Sequence, residues 1–132
     1  MATPRPVARH SRPVYLNLFA IRQPLPAIVS ILHRASGALL FLLGIPLALW
    51  GLDLSLRSPD GYSQFATAVS HPLAKLAALA LLWAVIHHTL AGIRHLLLDV
   101  HIGIDLNAAR RSSALVLVLA LVATLAIAIR LW

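Results

Sequence analysis

Three long apolar stretches divide the chain and predict helices that cross a membrane. They run from about residue 28 to 54, from 72 to 101 and from 113 to 132. Each has at least the roughly 20 residues that a helix needs to cross a hydrocarbon layer about 30 Å thick. The pattern therefore predicts an all-α integral membrane protein with three transmembrane helices, which together form a single domain over residues 28–132.

The segment before the first apolar stretch, residues 1–27, is polar and rich in proline and arginine. Proline removes a backbone donor and interrupts helices. We therefore expect this segment to be an extended arm that lies at the membrane surface.

Basic residues are unevenly distributed between the two ends of the predicted helices. Most arginines lie in the arm or in the polar stretch with Arg110 and Arg111, whereas the first loop contributes Arg57 and the C-terminus Arg130. The positive-inside rule then places the N-terminus and the second loop on the cytoplasmic or matrix side. This topology also accounts for the formal net charge of +7, so the charge does not indicate a nucleic-acid partner.

Composition limits the chemistry that this chain can perform. Hydrophobic residues make up 60% of the chain and charged residues 11%, which excludes an ordinary soluble domain. The chain has no cysteine and 7 histidines. It therefore cannot hold an iron–sulfur cluster through thiolates, and a redox cofactor would have to be bound through histidine.

The first helix begins with a polar face formed by Ser30, His33, Arg34 and Gly37. These positions are three or four residues apart and are neighbours on a helix. Ionisable residues inside a membrane span are costly and by default mark a functional site.

The second helix carries a stripe formed by His88, Gly92, His95 and Asp99. The stripe favours a haem that stands against the helix, because one imidazole can ligate iron and a glycine lets the ring plane approach. His95 lies about 10 Å nearer the cytoplasm, at a suitable level for the propionates. His87 lies off this stripe, so His88 is the predicted axial ligand.

Both helices bring basic residues to the same depth, with His33 and Arg34 on the first and Arg94 and His95 on the second. Such a group suits anions such as haem propionates. Two other interpretations remain open. The histidines could only pack helices in a haem-free anchor, or they could act with Asp99 as a proton relay or in transport.

Two strings resemble the signatures of the succinate dehydrogenase cytochrome b subunit family, the large membrane anchor of complex II. The first is S-I-L-H-R-A-S-G over residues 30–37, preceded by Arg12-Pro13 in the arm. The second, over residues 88–99, fits the pattern H-x-x-x-G-x-R-H-x-x-x-D. The resemblance extends over the arm, the three helices and their polarity.

The resemblance implies a role for each polar residue. His88 would be an axial ligand of haem b, with the second ligand from a partner anchor subunit. His33, Arg34 and His95 would contact the propionates. Ser30 and Arg34 would also border a quinone pocket at the junction with the iron–sulfur subunit, against which the arm would dock.

The implied function is that of an anchor subunit in a succinate:quinone oxidoreductase. Its partners would be a second anchor subunit, an iron–sulfur subunit, a flavoprotein subunit, the lipid bilayer and quinone. Succinate would be oxidised elsewhere in the complex, and this chain would contribute to the quinone site. The expected location is the bacterial cytoplasmic membrane, or the inner membrane of a mitochondrion if the source is eukaryotic.

Overall fold

The computed structural model describes residues 21–131, and every regular element within this range is helical. Residues 1–20 of the predicted arm lie outside the described residues. The end of the arm already belongs to the first helix. In chain order the elements are α1 (Leu25–Leu39), a π-helical turn (Leu40–Gly44), α2 (Ile45–Arg57), α3 (Pro59–Ser70), α4 (Pro72–Asp99) and α5 (Leu106–Leu131).

Three helical segments of the described chain are long and apolar enough to cross a membrane. They are Leu25–Arg57 with 33 residues, Pro72–Asp99 with 28 and Leu106–Leu131 with 26. The predicted all-α membrane architecture with three transmembrane helices is thus confirmed for this part of the chain. The first and third helices begin earlier than their apolar stretches, because a polar sequence such as that around Arg110 continues the helix beyond the hydrocarbon layer.

The polar stretch after α2 forms much less of a loop than its sequence indicates. The break is confined to Ser58, whose backbone is extended and whose Oγ accepts a hydrogen bond from the Gly61 N–H at 3.0 Å. Pro59 takes the first position of α3, where a missing N–H costs nothing. A serine cap followed by proline thus starts a helix in the stretch expected to be only the first loop.

The helix α3 packs against α2. A Cβ atom at Gly51 of α2 would lie 2.8 Å from Cε2 of Phe65, so the aromatic ring of α3 lies directly against this glycine. The opposite side of α3 exposes polar residues such as Ser63 and Thr67. This amphipathic character suits a helix at the edge of the membrane.

The π-helical turn interrupts the first span between α1 and α2. The Ile45 N–H bonds to the Leu40 carbonyl, five residues earlier, and Pro46 follows as one of the first residues of α2. In a regular α-helix the ring of Pro46 would clash with the carbonyl four residues earlier. The wider turn accommodates this proline without ending the helix.

The helices α1, α4 and α5 pack together around a small core. Its centre is formed by Val29, Ala91 and Val116, and Ala84 and Ala120 are also fully buried. Small residues let membrane helices approach closely. Many large apolar side chains remain exposed on the outer faces, as expected for surfaces that contact lipid.

The helix α4 ends in a Schellman motif. The N–H of Ile102 bonds to the Leu97 carbonyl at 2.9 Å, and the N–H of His101 bonds to the Leu98 carbonyl at 3.0 Å. His101 has a φ of 64°, the left-handed conformation that glycine usually adopts at this position. The motif turns the chain into the short connection to α5.

Candidate functional site

Three histidines form a cluster between α1 and α4. The His33 and His88 rings are stacked, with centroids 4.1 Å apart and an interplanar angle of 11°. The His95 ring lies 5.1 Å from His33 at an angle of 57°. The two polar faces seen in the sequence therefore meet, because α1 and α4 pack as antiparallel neighbours.

The hydrogen bonds around His88 determine which of its nitrogens carries the proton. Its Nδ1 lies 3.0 Å from the His33 carbonyl oxygen and 3.1 Å from the Ser36 Oγ. The Ser36 hydroxyl itself donates to the same carbonyl at 2.9 Å. Since a carbonyl can only accept, we assign the proton to Nδ1 of His88, which leaves a lone pair on Nε2. This is the arrangement found in metal-ligating histidines.

Ser36 is a site residue that the sequence analysis did not include. Its side chain is buried and contacts both His33 and His88. Its position three residues after His33 is the signal that could have indicated it, since such residues are neighbours on a helix.

Two glycines of the predicted site play different parts. A Cβ at Gly37 would lie 2.8 Å from Cε1 of His88, so His88 can lie against α1 only because residue 37 has no side chain. A Cβ at Gly92 would meet Nε2 of His33 at 3.5 Å, an ordinary contact. The space expected for a haem plane beside Gly92 thus borders the His33 ring.

Ser30 and Arg34 lie beside the histidine cluster on α1. Arg34 is exposed and Ser30 is half-buried. Neither side chain forms a hydrogen bond with another residue of the described chain.

Arg94 does not join His33 and Arg34 in an anion site, contrary to the expectation from its depth. It is 6% exposed and faces α5, where its Nε donates to Ser112 Oγ at 3.0 Å and its Nη2 to the Ala109 carbonyl at 3.3 Å. Adjacent helical residues point about 100° apart. Because His95 faces α1, the preceding residue Arg94 points toward α5.

His87 stands apart from the cluster, as its position off the stripe predicts. It is fully buried and stacks on Trp83, with centroids 5.0 Å apart. Neither of its ring nitrogens has a hydrogen-bond partner among the described residues. Asp99, at the other end of the stripe, is exposed.

The donor set fits one axial position of a haem. Within residues 21–131, no group of three or more His, Cys, Asp or Glu side chains could hold a metal ion by itself. A haem iron needs less from each chain, since a single imidazole nitrogen suffices. The Nε2 of His88 meets that requirement, and Arg34 and His95 supply groups that can bind anions.

Fold and site together define a multi-pass helical membrane protein with a histidine cluster between two of its spans. Residues 8–127 match the family described as succinate dehydrogenase/fumarate reductase transmembrane subunit. The chain therefore belongs to this family. The resemblance seen in the two sequence motifs is confirmed, and with it the role of a membrane anchor subunit in an oxidoreductase complex.

Three relatives carry the name succinate dehydrogenase cytochrome b556 subunit. The protein of Paracoccus denitrificans is 36% identical over 107 residues, which cover 81% of this chain and 82% of the relative. That of Coxiella burnetii is 34% identical over 122 residues, or 92% and 97% of the two chains. That of Rickettsia felis is 29% identical over 116 residues, or 88% and 90%. The similarity thus extends over most of both chains in each case.

Proposed function

We propose that this chain binds haem b as an anchor subunit of a succinate:quinone oxidoreductase and borders its quinone-reduction site. The observation that carries the proposal is the hydrogen bonding of His88, which leaves the Nε2 lone pair available for iron. A partner anchor subunit would provide the second axial ligand. The names of the relatives, which are cytochrome b subunits, support this assignment.

The chain's own residues would hold the haem at two levels. His88 would provide the nitrogen that holds the iron, and Gly37 and Ser36 orient its ring. His33, Arg34 and His95 provide donors for the propionates nearer the membrane edge. A haem bound in this way would supply a one-electron redox centre.

The quinone site would lie where Ser30 and Arg34 face outward from α1. A hydroxyl and a guanidinium can donate hydrogen bonds to a quinone carbonyl and stabilise the negative charge that develops there on reduction. Both side chains lack partners among the described residues. Electrons would arrive from an iron–sulfur subunit, which receives them from a flavoprotein subunit.

In the proposed orientation in the membrane, the N-terminus and the α4–α5 connection lie on the cytoplasmic side, because most arginines lie in these two segments. The iron–sulfur subunit would dock on this side, and the arm would contact it. The relatives are bacterial, which supports a location in the cytoplasmic membrane.

The first test is a reduced-minus-oxidised visible spectrum of the purified complex. His88→Ala should remove or strongly reduce the low-spin b-type signal, because the axial nitrogen is lost. His87→Leu is the matched control, since the neighbouring imidazole is buried and outside the cluster. A wild-type complex without a haem signal would leave only the haem-free anchor, in which the stacked rings pack α1 against α4.

A second test concerns the quinone site. Ser30→Ala and Arg34→Lys should lower succinate–quinone reductase activity at least about tenfold, because each removes a hydrogen bond to developing charge. Electron transfer from succinate to a water-soluble acceptor should not change. Arg111→Lys, an exposed arginine on α5, serves as the control. Unchanged quinone reductase activity in both variants would refute this placement of the site.

A further inference from the structure

A crevice of about 180 Å³ lies between α4 and α5, on a different side of α4 from the histidine cluster. Its walls are apolar and include Leu90, Leu115 and Leu119. Arg94 and Ser112 contribute the polar part of the lining. The crevice is therefore an apolar furrow with a guanidinium at one end.

Arg94 is a buried cation without an anionic partner among the described residues. Two of its five N–H groups are used, and both acceptors, the Ser112 hydroxyl and the Ala109 carbonyl, are neutral. The ion pair found within residues 21–131 joins Arg57 and Asp53. Both lie on α2, which belongs to another span than Arg94. Burying a charge in a membrane span without a counter-ion is expensive, so Arg94 is expected to meet an anion from outside the chain.

The positions along the two helices suggest what carries that anion. Arg94 and Ser112 lie near the end of the bundle that faces the α4–α5 connection, and Leu119 lies about 10 Å deeper, seven residues along α5. Arg110 and Arg111 are exposed on the same turn of α5 as Ser112. Together with Arg94 they outnumber the exposed Asp99 and Asp105 at this end of the bundle. Positive charge at the membrane edge above an apolar furrow complements a lipid with an anionic headgroup.

We propose that Arg94 and this crevice bind an anionic phospholipid. The phosphodiester would accept hydrogen bonds from the free N–H groups of the guanidinium, which the Ser112 oxygen holds in place. One acyl chain would lie along Leu115 and Leu119. The proposal is independent of haem and quinone, and it gives a role to the arginine of the second sequence motif.

Native mass spectrometry of the intact detergent-solubilised complex, titrated with phosphatidylglycerol or phosphatidylcholine, tests the proposal. Arg94→Gln removes the cation, and Leu119→Trp fills the furrow without touching the guanidinium. Both should weaken phosphatidylglycerol binding about tenfold or more and leave phosphatidylcholine binding unchanged. Arg130→Gln, which removes an exposed arginine at the opposite end of α5, should bind phosphatidylglycerol as the wild type does.

Two results would overturn the proposal. The first is a wild-type complex that binds phosphatidylglycerol no better than phosphatidylcholine. The second is a Leu119→Trp variant that keeps wild-type phosphatidylglycerol binding while Arg94→Gln releases a soluble subunit, because the guanidinium would then pair with a protein carboxylate. If Arg94→Gln fails to assemble, Leu119→Trp and Arg94→Lys decide, since a lysine keeps the charge but loses the planar fork.

Discussion

At the scale of single residues, the site depends on groups that are not themselves proposed to bind the haem. Ser36 and the His33 carbonyl fix the proton on His88, and Gly37 leaves room for its ring. The imidazole is thus oriented by α1, although it belongs to α4. In the proposed site, these contacts would hold the His88 ring in one orientation toward the haem iron.

The two glycines of the site give a prediction with an internal control. Gly37→Ala should displace the His88 ring, lower the stability of the complex by about 1–3 kcal/mol through overpacking and shift the low-spin haem signal. Gly92→Ala should have little effect on either, since its Cβ would make an ordinary contact. Thermal unfolding and electron paramagnetic resonance of the purified complex measure both effects.

A larger effect of Gly92→Ala than of Gly37→Ala on the haem signal would contradict this prediction. If Gly92→Ala removed the haem signal while Gly37→Ala kept it, the space beside Gly92 would belong to the macrocycle rather than to His33. The ring contact between His33 and His88 would then be replaced when haem binds.

Sequence alone placed the three histidines on facing helices, because helical spacing assigns residues to faces. It did not give the direction of Arg94, which depends on the position of α5 around α4. Nor did it indicate that His33 would border Gly92, since this contact requires the side-chain conformation of a second helix. Helical periodicity shows which residues share a face of one helix. Which residues of two helices contact each other depends on how the helices pack.

At the scale of elements, local breaks shape the helices more than hydropathy does. Pro46 directly follows the π-helical turn inside the first span. Ser58 and Pro59 start α3 immediately after the end of α2. Hydropathy does not predict α3, because its short, polar and alanine-containing sequence has no long apolar run. The signal for this helix is local, namely a serine cap directly followed by a proline.

The end of α4 offers a prediction about backbone strain. His101→Gly should stabilise the protein by about 1 kcal/mol, because a left-handed conformation is costly for a residue with a side chain. His101→Ala keeps the strained backbone and removes the imidazole, so it should leave stability nearly unchanged. The thermal unfolding midpoint in detergent measures both changes. A loss of stability in both variants would show instead that the imidazole makes a required contact.

At the scale of the whole molecule, the three spans place two kinds of surface at opposite ends. The end with the α4–α5 connection carries the histidine cluster, Arg34 and the buried Arg94. The other end carries α3 and the apolar part of the bundle. The proposed orientation directs the first end toward the cytoplasm, where the soluble subunits would bind.

This orientation can be measured directly, because the chain contains no cysteine. Ser63→Cys in α3 and Asn107→Cys at the start of α5 each introduce a single thiol at an exposed position. In intact spheroplasts a membrane-impermeant maleimide should label residue 63 and not residue 107. After permeabilisation both should be labelled. Labelling of residue 107 alone in intact spheroplasts would invert the topology and place the quinone site on the opposite side.

The π-helical turn at Leu40–Gly44 divides the first span into two half-helices, α1 and α2. On an uninterrupted α-helix Gly37 and Gly51 would share nearly the same azimuth, within about 40°. In this protein Gly37 meets α4 and Gly51 meets α3, so the two half-helices serve different neighbours. The turn lies between these two half-helices. The register of Ser36 against His88 is thus set within α1, before the turn, where this helix packs on α4.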